Sequence, residues 1–107
     1  MKLKHPRAKG NRIQLKLIKK LREEGWLVAK TERVGKFIKE KDLFGIGDLI
    51  CLKKINDKTV IKIIQSTSSR PHTHKKYKEF AEKFGEEYLK VEQHVWINRK
   101  GWKVFSY

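Results

Sequence analysis

The chain has 107 residues, a length that suits a single domain over residues 1–107 and excludes a second hydrophobic core. Its hydrophobic content of 38% is too high for a disordered basic tail. The sequence shows no secretory signal and no apolar run near the ~20 residues that cross a bilayer. We therefore expect a cytoplasmic, intracellular protein with no membrane partner. A formal net charge of +15 points to a polyanionic partner, and the single cysteine, Cys51, excludes an internal disulfide.

The first predicted elements are a basic arm, a helix and a short strand. Residues 1–10 show no apolar period and are expected to form a flexible basic arm, after which Asn11 is a suitable helix N-cap. Apolar residues then recur at helical spacing over residues 12–24, and Gly25 is typical of the residue that follows a helix. Residues 26–30 are apolar and partly β-branched, which predicts a strand.

The central part of the chain reads as a loop followed by a β-hairpin. Residues 31–45 are polar and rich in lysine, which predicts a loop. Two apolar runs, Asp48 to Leu52 and Thr59 to Ile64, are separated by turn residues at 56–58, a pattern typical of a hairpin. The polar residues 65–72 are expected to form an exit loop.

The last third contains a second helix and a second hairpin. Aromatic and apolar residues recur at helical spacing over residues 73–84, and Gly85 ends the pattern. Residues 88–97 and 102–107 alternate enough to be strands around a turn at 98–101. The resulting order, α-β-β-β-α-β-β, predicts an α/β fold in which helices flank a mixed sheet.

The basic residues are unevenly placed along the chain. No acidic residue precedes Glu23, whereas lysines and arginines begin at Lys2. This distribution predicts binding to nucleic acid. The alternative is a lysine-rich surface that only favours solubility, but such surfaces usually carry matching glutamates. The candidate contacts with nucleic acid are Arg7, Lys9, Arg12, Gln14, Lys36, Lys39, Lys41 and Arg70.

One carboxylate stands where a buried strand is expected to begin. Asp48 directly precedes an apolar run, and a charge there is costly unless it is paired or binds a cation. Gly45 and Gly47 leave room for a phosphodiester backbone to approach. If the predicted hairpin forms, Asp48 and Gln65 meet at one end of the sheet, and alternation places Gln65 and Thr67 on one face.

A carboxylate, an amide oxygen and a hydroxyl are hard oxygen ligands, which suit Mg²⁺ or Mn²⁺. The alternative is that Asp48 caps a turn while Gln65 satisfies backbone groups at the end of the sheet.

Metal sites built on the histidines have less support. His72 and His74 lack the cysteine or third histidine of a zinc site, and His94 has no obvious partner.

From residue 11 to about residue 84 the chain resembles the PD-(D/E)XK nuclease superfamily, especially the small archaeal and phage proteins similar to Holliday junction resolvases. Asp48 matches the motif aspartate at the start of the second strand, and Gln65-Ser66-Thr67 lies where Glu-X-Lys ends the third. The resemblance implies a restriction-endonuclease-like core and a metal site. Its ligands would be Asp48, Gln65 and the Ser66 carbonyl, with Asp42 as an additional carboxylate.

The chain departs from the motif at three positions. Gln14 stands where related resolvases carry a glutamate in the first helix, Gln65 replaces the second acidic residue, and Thr67 replaces the lysine. In a catalytic role, Thr67 would position water, and Lys75 or Lys76 from the second helix would supply the missing positive charge.

These observations leave two functions open. The first is a divalent-metal-dependent DNA endonuclease selective for branched DNA, such as junctions or flaps. The second is a catalytically inactive nuclease-fold protein that binds nucleic acid. Symmetric cutting of a junction requires a two-fold dimer. The apolar residues expected to form the contact of a homodimer are Trp96, Ile97, Trp102 and Phe105.

Overall fold

The computed structural model describes residues 6–31 and 43–107, with side chains from residue 12 onward. Asp42, Lys36, Lys39 and Lys41 lie outside the described residues. The element order α-β-β-β-α-β-β is confirmed, and neither described helix is long and apolar enough to span a bilayer. The elements are α1 (Pro6–Glu23), β1 (Leu27–Lys30), β2 (Leu49–Ile55), β3 (Lys58–Ser68), α2 (Lys75–Phe84), β4 (Leu89–Ile97) and β5 (Gly101–Ser106).

Helix α1 begins earlier than the sequence pattern indicates. It starts at Pro6, so the expected basic arm is wrong for residues 6–10 and Asn11 is not the N-cap. Proline suits the first turn of a helix because its fixed φ is helical and no hydrogen bond needs its missing N–H. Gly10 costs the helix only about 1 kcal/mol, which flanking helical residues can offset. The helix ends as predicted, with Gly25 at φ 95°.

The five strands form one mixed sheet in the order β1-β2-β3-β4-β5. Strands β3 and β4 are parallel and are joined through α2, whereas the other three pairs are antiparallel. The predicted β2–β3 hairpin is confirmed, with Leu49 opposite Ile64. Asn56 and Asp57 both have positive φ, as the favoured two-residue hairpin turn requires.

Strand β3 is longer than its sequence suggests. It continues to Ser68, so Gln65, Ser66 and Thr67 lie in a strand and not in the predicted exit loop. The reason is non-local: β4 pairs with β3 as far as Ser68 opposite Trp96 and hydrogen-bonds this polar stretch. The candidate site residues therefore occupy fixed positions in the sheet.

Each helix covers one face of the sheet. On the α1 face, Leu17 packs with Leu49, Cys51 and Ile64 in the larger core. On the α2 face, Tyr77 packs with Ile46, Ile63 and Val91.

Burial raises the pKa of Cys51 to about 12, so its thiol is protonated at neutral pH and does not act as a nucleophile.

The residues chosen from the sequence for a dimer contact do not share one surface. Trp96 lies opposite Trp102, and the two rings contact each other on the α1 face. Ile97 and Phe105 alternate to the α2 face, where Phe105 contacts His74. The predicted patch is therefore wrong, because period-two alternation divides its members between opposite faces.

Candidate active site

Asp48 lies at the mouth of the β2–β3 hairpin, just before β2. Its N–H donates to the carbonyl of Ile64 at 3.0 Å, and the residue is only 8% exposed. Gly47 permits this arrangement, because a Cβ atom there would clash with Cγ2 of Ile63. Thr31 holds the other side of the segment, where its hydroxyl donates to the Gly47 carbonyl at 3.0 Å. Two strands and a glycine thus fix the carboxylate at the sheet margin.

The carboxylate of Asp48 accepts hydrogen bonds from β3. The Ser66 N–H donates to Oδ1 at 3.1 Å, and the Ser66 hydroxyl donates to Oδ2 at 2.9 Å. Gln65 Nε2 donates to Oδ2 at 3.4 Å. The predicted meeting of Asp48 with Gln65 is therefore confirmed, and Ser66 contributes two contacts that the sequence pattern did not reveal.

The side-chain amide of Gln65 lies between two oxygens. Its Nε2 is 3.4 Å from Asp48 Oδ2 and 3.5 Å from the Ser66 carbonyl. Rotation of the amide by 180° would present Oε1 in the same place, which would give a donor set made only of oxygen. Such a set fits a hard cation such as Mg²⁺, although Asp48 supplies its only formal charge. The described residues contain no group of three or more His, Cys, Asp and Glu side chains suited to a metal.

Thr67 lies on the same face as Gln65, as alternation predicts. Its hydroxyl is buried and has no hydrogen-bond partner among the described residues, so a water or ligand atom that reached it would meet a free donor and acceptor. Lys75 and Lys76 are exposed at the start of α2. Their described contacts are an ion pair with Glu79 at 4.0 Å and a position over the Tyr77 ring, rather than Gln65 or Thr67.

The predicted contacts with nucleic acid divide into two groups. Arg12 and Arg70 are exposed, and Arg70 follows β3 at the same end of the sheet as Asp48, with its N–H bonded to Ser68. Gln14 is only 5% exposed, which contradicts the prediction of a surface contact. It lies on the buried side of α1 because positions 14, 17, 18 and 21 share one helical face. Arg7 and Lys9 lie within α1.

An ion-pair cluster on the α1 face was missed in the sequence. Glu92 accepts a hydrogen bond from His94 at 2.8 Å and forms an ion pair with Lys62 at 3.2 Å. Burial opposes ionisation of Glu92, but the His94 hydrogen bond and the Lys62 charge outweigh it and hold the pKa of Glu92 below its ordinary value. The i, i+2 spacing of Glu92 and His94 in a strand was the available signal, since it places both on one face.

We expect Glu92 to make the fold sensitive to acid. A lowered native pKa stabilises the folded state above the ordinary pKa of 4.5, and this contribution disappears as the pH falls through the native pKa. Glu92→Gln should therefore lower the free energy of unfolding by about 1–3 kcal/mol at pH 7. The difference from wild type should shrink towards pH 3, as measured by urea denaturation. An equal difference at both pH values would contradict this assignment.

Comparison with known proteins identifies the fold. The chain is similar to a solved structure of Hjc, a Holliday junction resolvase from the archaeal hyperthermophile Archaeoglobus fulgidus, with a TM-score of 0.57 and 16% sequence identity. The match covers 91% of this chain and 76% of that chain. No protein-family model and no curated protein sequence matches the chain. At this identity the likeness concerns architecture, and the chain therefore has the α/β fold of an archaeal Holliday junction resolvase.

Proposed function

We propose that the protein is a divalent-metal-dependent endonuclease that hydrolyses phosphodiester bonds in branched DNA. The observation that carries the proposal is the meeting of Asp48, Gln65 and Ser66 at the margin of a sheet with a resolvase fold. A net charge of +15 supplies the attraction for a polyanion. The proposed partner is DNA, because the resolvase of similar fold is named for a DNA junction.

Asp48, the Ser66 carbonyl and the flipped Gln65 amide oxygen would hold Mg²⁺ or Mn²⁺, with Asp42 as a further candidate ligand. When bound, such an ion supplies Lewis-acid stabilisation of the phosphate and a more acidic water. The Ser66 hydroxyl and N–H hold the Asp48 carboxylate in place through two hydrogen bonds. The unpartnered hydroxyl of Thr67 would orient a water beside it.

Two groups of cations would act on the DNA. Lys75 and Lys76, at the start of α2, are proposed to stabilise the charge that develops on the phosphate. Arg12 and Arg70, with Arg7, Lys9, Lys36, Lys39 and Lys41 as further candidates, would contact the phosphate backbone. Contacts of this kind select DNA shape rather than base sequence, and they weaken steeply as salt rises.

The test is a cleavage assay with labelled junction, flap, single-stranded and duplex DNA, in Mg²⁺, Mn²⁺ or a chelator. We expect cleavage of the branched substrates that depends on metal. Gel shifts without cleavage in any metal would refute the enzyme and support the alternative of a binding protein. One observation favours that alternative: donors from Gln65 and Ser66 already satisfy the Asp48 carboxylate without a cation.

Paired cuts across a junction need two active sites, so we also propose that the protein is a homodimer. An aromatic surface, made of Phe44, Phe80 and Phe84, replaces the contact expected from the sequence. Phe44 stacks on Phe80 with ring centroids 5.7 Å apart, and the ring centroids of Phe80 and Phe84 are 5.0 Å apart. Phe44 is 64% exposed and Phe84 is 58% exposed. Phe44 also has a φ of 53°, a strained conformation that costs about 1–3 kcal/mol.

The charges around the aromatic surface favour a second copy of the chain over DNA. Lys76, Glu79, Glu82 and Lys83 line the same shallow groove, so both signs of charge are present in a protein that is otherwise strongly basic. The glutamates would repel phosphates. Across a two-fold axis, however, Lys83 of one copy can face the glutamates of the other.

Phe84→Lys should convert the dimer to a monomer, because it would place a charge within the apolar contact. The measurement is the molar mass from light scattering during size-exclusion chromatography. Val104→Lys is the matched control, since Val104 is 44% exposed but lies on β5, away from α2. An unchanged dimer mass for Phe84→Lys, or a monomeric wild type, would rule out this interface.

A further inference from the structure

A second cleft lies between α1 and the C-terminal end of β4. It has a volume of about 390 Å³ and is lined by Arg12, Ile13, Lys16, Trp96 and Asn98. The Lys16 ammonium lies 3.7 Å from the centroid of the Trp96 ring, and Trp102 contacts Trp96 edge-on at 5.2 Å. The Lys16 side chain therefore covers one face of the Trp96 indole and can move away from it. Trp102 packs against Trp96 and holds its ring in position.

The charge around this cleft has a single sign. Arg12, Lys16 and the hairpin residues Arg99 and Lys100 are exposed. The described part of α1 before Glu23 contains no acidic residue, and neither do residues 93–107. A ligand that stacks on an aromatic ring and also carries negative charge matches this lining, and a nucleotide has both properties.

The cleft lies close to the candidate active site. Trp96 is paired with Ser68, and the Ser69 N–H donates to the Trp96 carbonyl at 2.8 Å. Ser68 is two residues beyond Ser66, which hydrogen-bonds Asp48. The rise along a strand and the spacing between strands place Trp96 about 8 Å from Ser66. A nucleotide bound in the cleft would therefore lie close to a phosphate held at Asp48.

We propose that this cleft binds one unpaired nucleotide next to the scissile phosphate. The base stacks on Trp96, the Asn98 amide faces the base edge, and Arg12 and Lys16 contact the phosphates. The proposal rests on the proposed function for its substrate and adds a reason for selectivity. A base inside a duplex is already stacked on its neighbours, whereas an unpaired base at a branch is free to enter the cleft.

The test compares two single strands of equal charge, the oligonucleotide dT8 and an eight-residue abasic strand, in a chelator so that no cleavage occurs. Wild-type protein should bind dT8 more tightly and show quenched tryptophan fluorescence. Trp96→Ala should weaken dT8 binding about 5- to 150-fold, the range for loss of one base–aromatic stack, and leave abasic binding nearly unchanged. Trp96→Phe should retain most of the preference, and Trp26→Phe, which alters a buried tryptophan of the larger core, is the matched control.

Two results would overturn the proposal: equal affinity of wild type for dT8 and the abasic strand, or unchanged dT8 affinity in Trp96→Ala. The first comparison needs no variant and therefore does not depend on how Trp96→Ala folds. Lys16→Ala should weaken binding of the abasic strand, since it removes a phosphate contact. Binding in a chelator is independent of catalysis, so a protein that prefers dT8 but cuts no substrate would refute the nuclease and leave this site standing.

Discussion

Asp48→Asn should abolish metal-dependent cleavage of branched DNA while leaving DNA binding intact. Asparagine has the size of aspartate and its carbonyl can still accept the Ser66 N–H bond, so the hairpin mouth should keep its shape. The lost charge is the only formal negative charge among the described ligand atoms. Because a bound metal contributes several kcal/mol to charge stabilisation in a transition state, we expect the rate to fall at least 100-fold.

The measurement for Asp48→Asn is the single-turnover rate on a labelled four-way junction in Mg²⁺ and in Mn²⁺, beside a gel-shift titration. Asp57→Asn is the matched control, because Asp57 is exposed in the hairpin turn and asparagine tolerates its positive φ. Cleavage by Asp48→Asn at the wild-type rate would show that the active site lies elsewhere in the chain.

Gln65→Glu should tighten metal binding and make the protein less stable without metal. The new carboxylate would replace an N–H donor 3.4 Å from Asp48 Oδ2. Two buried carboxylates repel each other unless a proton or a cation lies between them. We therefore expect a loss of about 1–3 kcal/mol in the free energy of unfolding in chelator at pH 7. Added Mn²⁺ should restore it by binding the folded state.

Calorimetric titration with Mn²⁺ and thermal unfolding with and without the ion measure these two effects. Gln65→Leu is the control, since it removes the amide without adding charge and should gain no affinity for metal. If Gln65→Glu binds Mn²⁺ no more tightly than wild type, then Gln65 serves only to satisfy groups at the end of the sheet.

The contact between Asp48 and Gln65 in the candidate active site could be predicted because both residues belong to one local hairpin. The turn at Asn56 and Asp57 sets the register of β2 against β3, and that register alone brings Asp48 to Gln65. Ser66 was expected to offer a carbonyl to a metal, and the contacts of its hydroxyl and N–H with the Asp48 carboxylate were not expected. Those contacts depend on how the Asp48 side chain is turned at the strand end, which residue spacing does not specify.

Several of the errors made from the sequence have the same cause, which is contact between distant parts of the chain. The Glu92–His94 pair gains its third member, Lys62, only because β4 lies parallel to β3. The burial of Gln14 requires α1 to pack on the sheet, and this overrides the polar character of the side chain. The start of α1 at Pro6 is a local error, since residues 6–10 show no apolar period but Pro6 suits the first turn of a helix.

The amino-acid sequence by itself determined the order of helices and strands, the β2–β3 hairpin and the strongly basic character of this protein. These follow from periodicity, turn residues and charge, all of which act over a few neighbouring residues. Only the tertiary structure decided that β3 continues through Gln65 to Ser68, that Gln14 is buried against the sheet, and that Arg12, Lys16 and Trp96 line one cleft. The physical reason is that pairing with β4 and packing of α1 join residues far apart in the chain, and their free energy outweighs local preference.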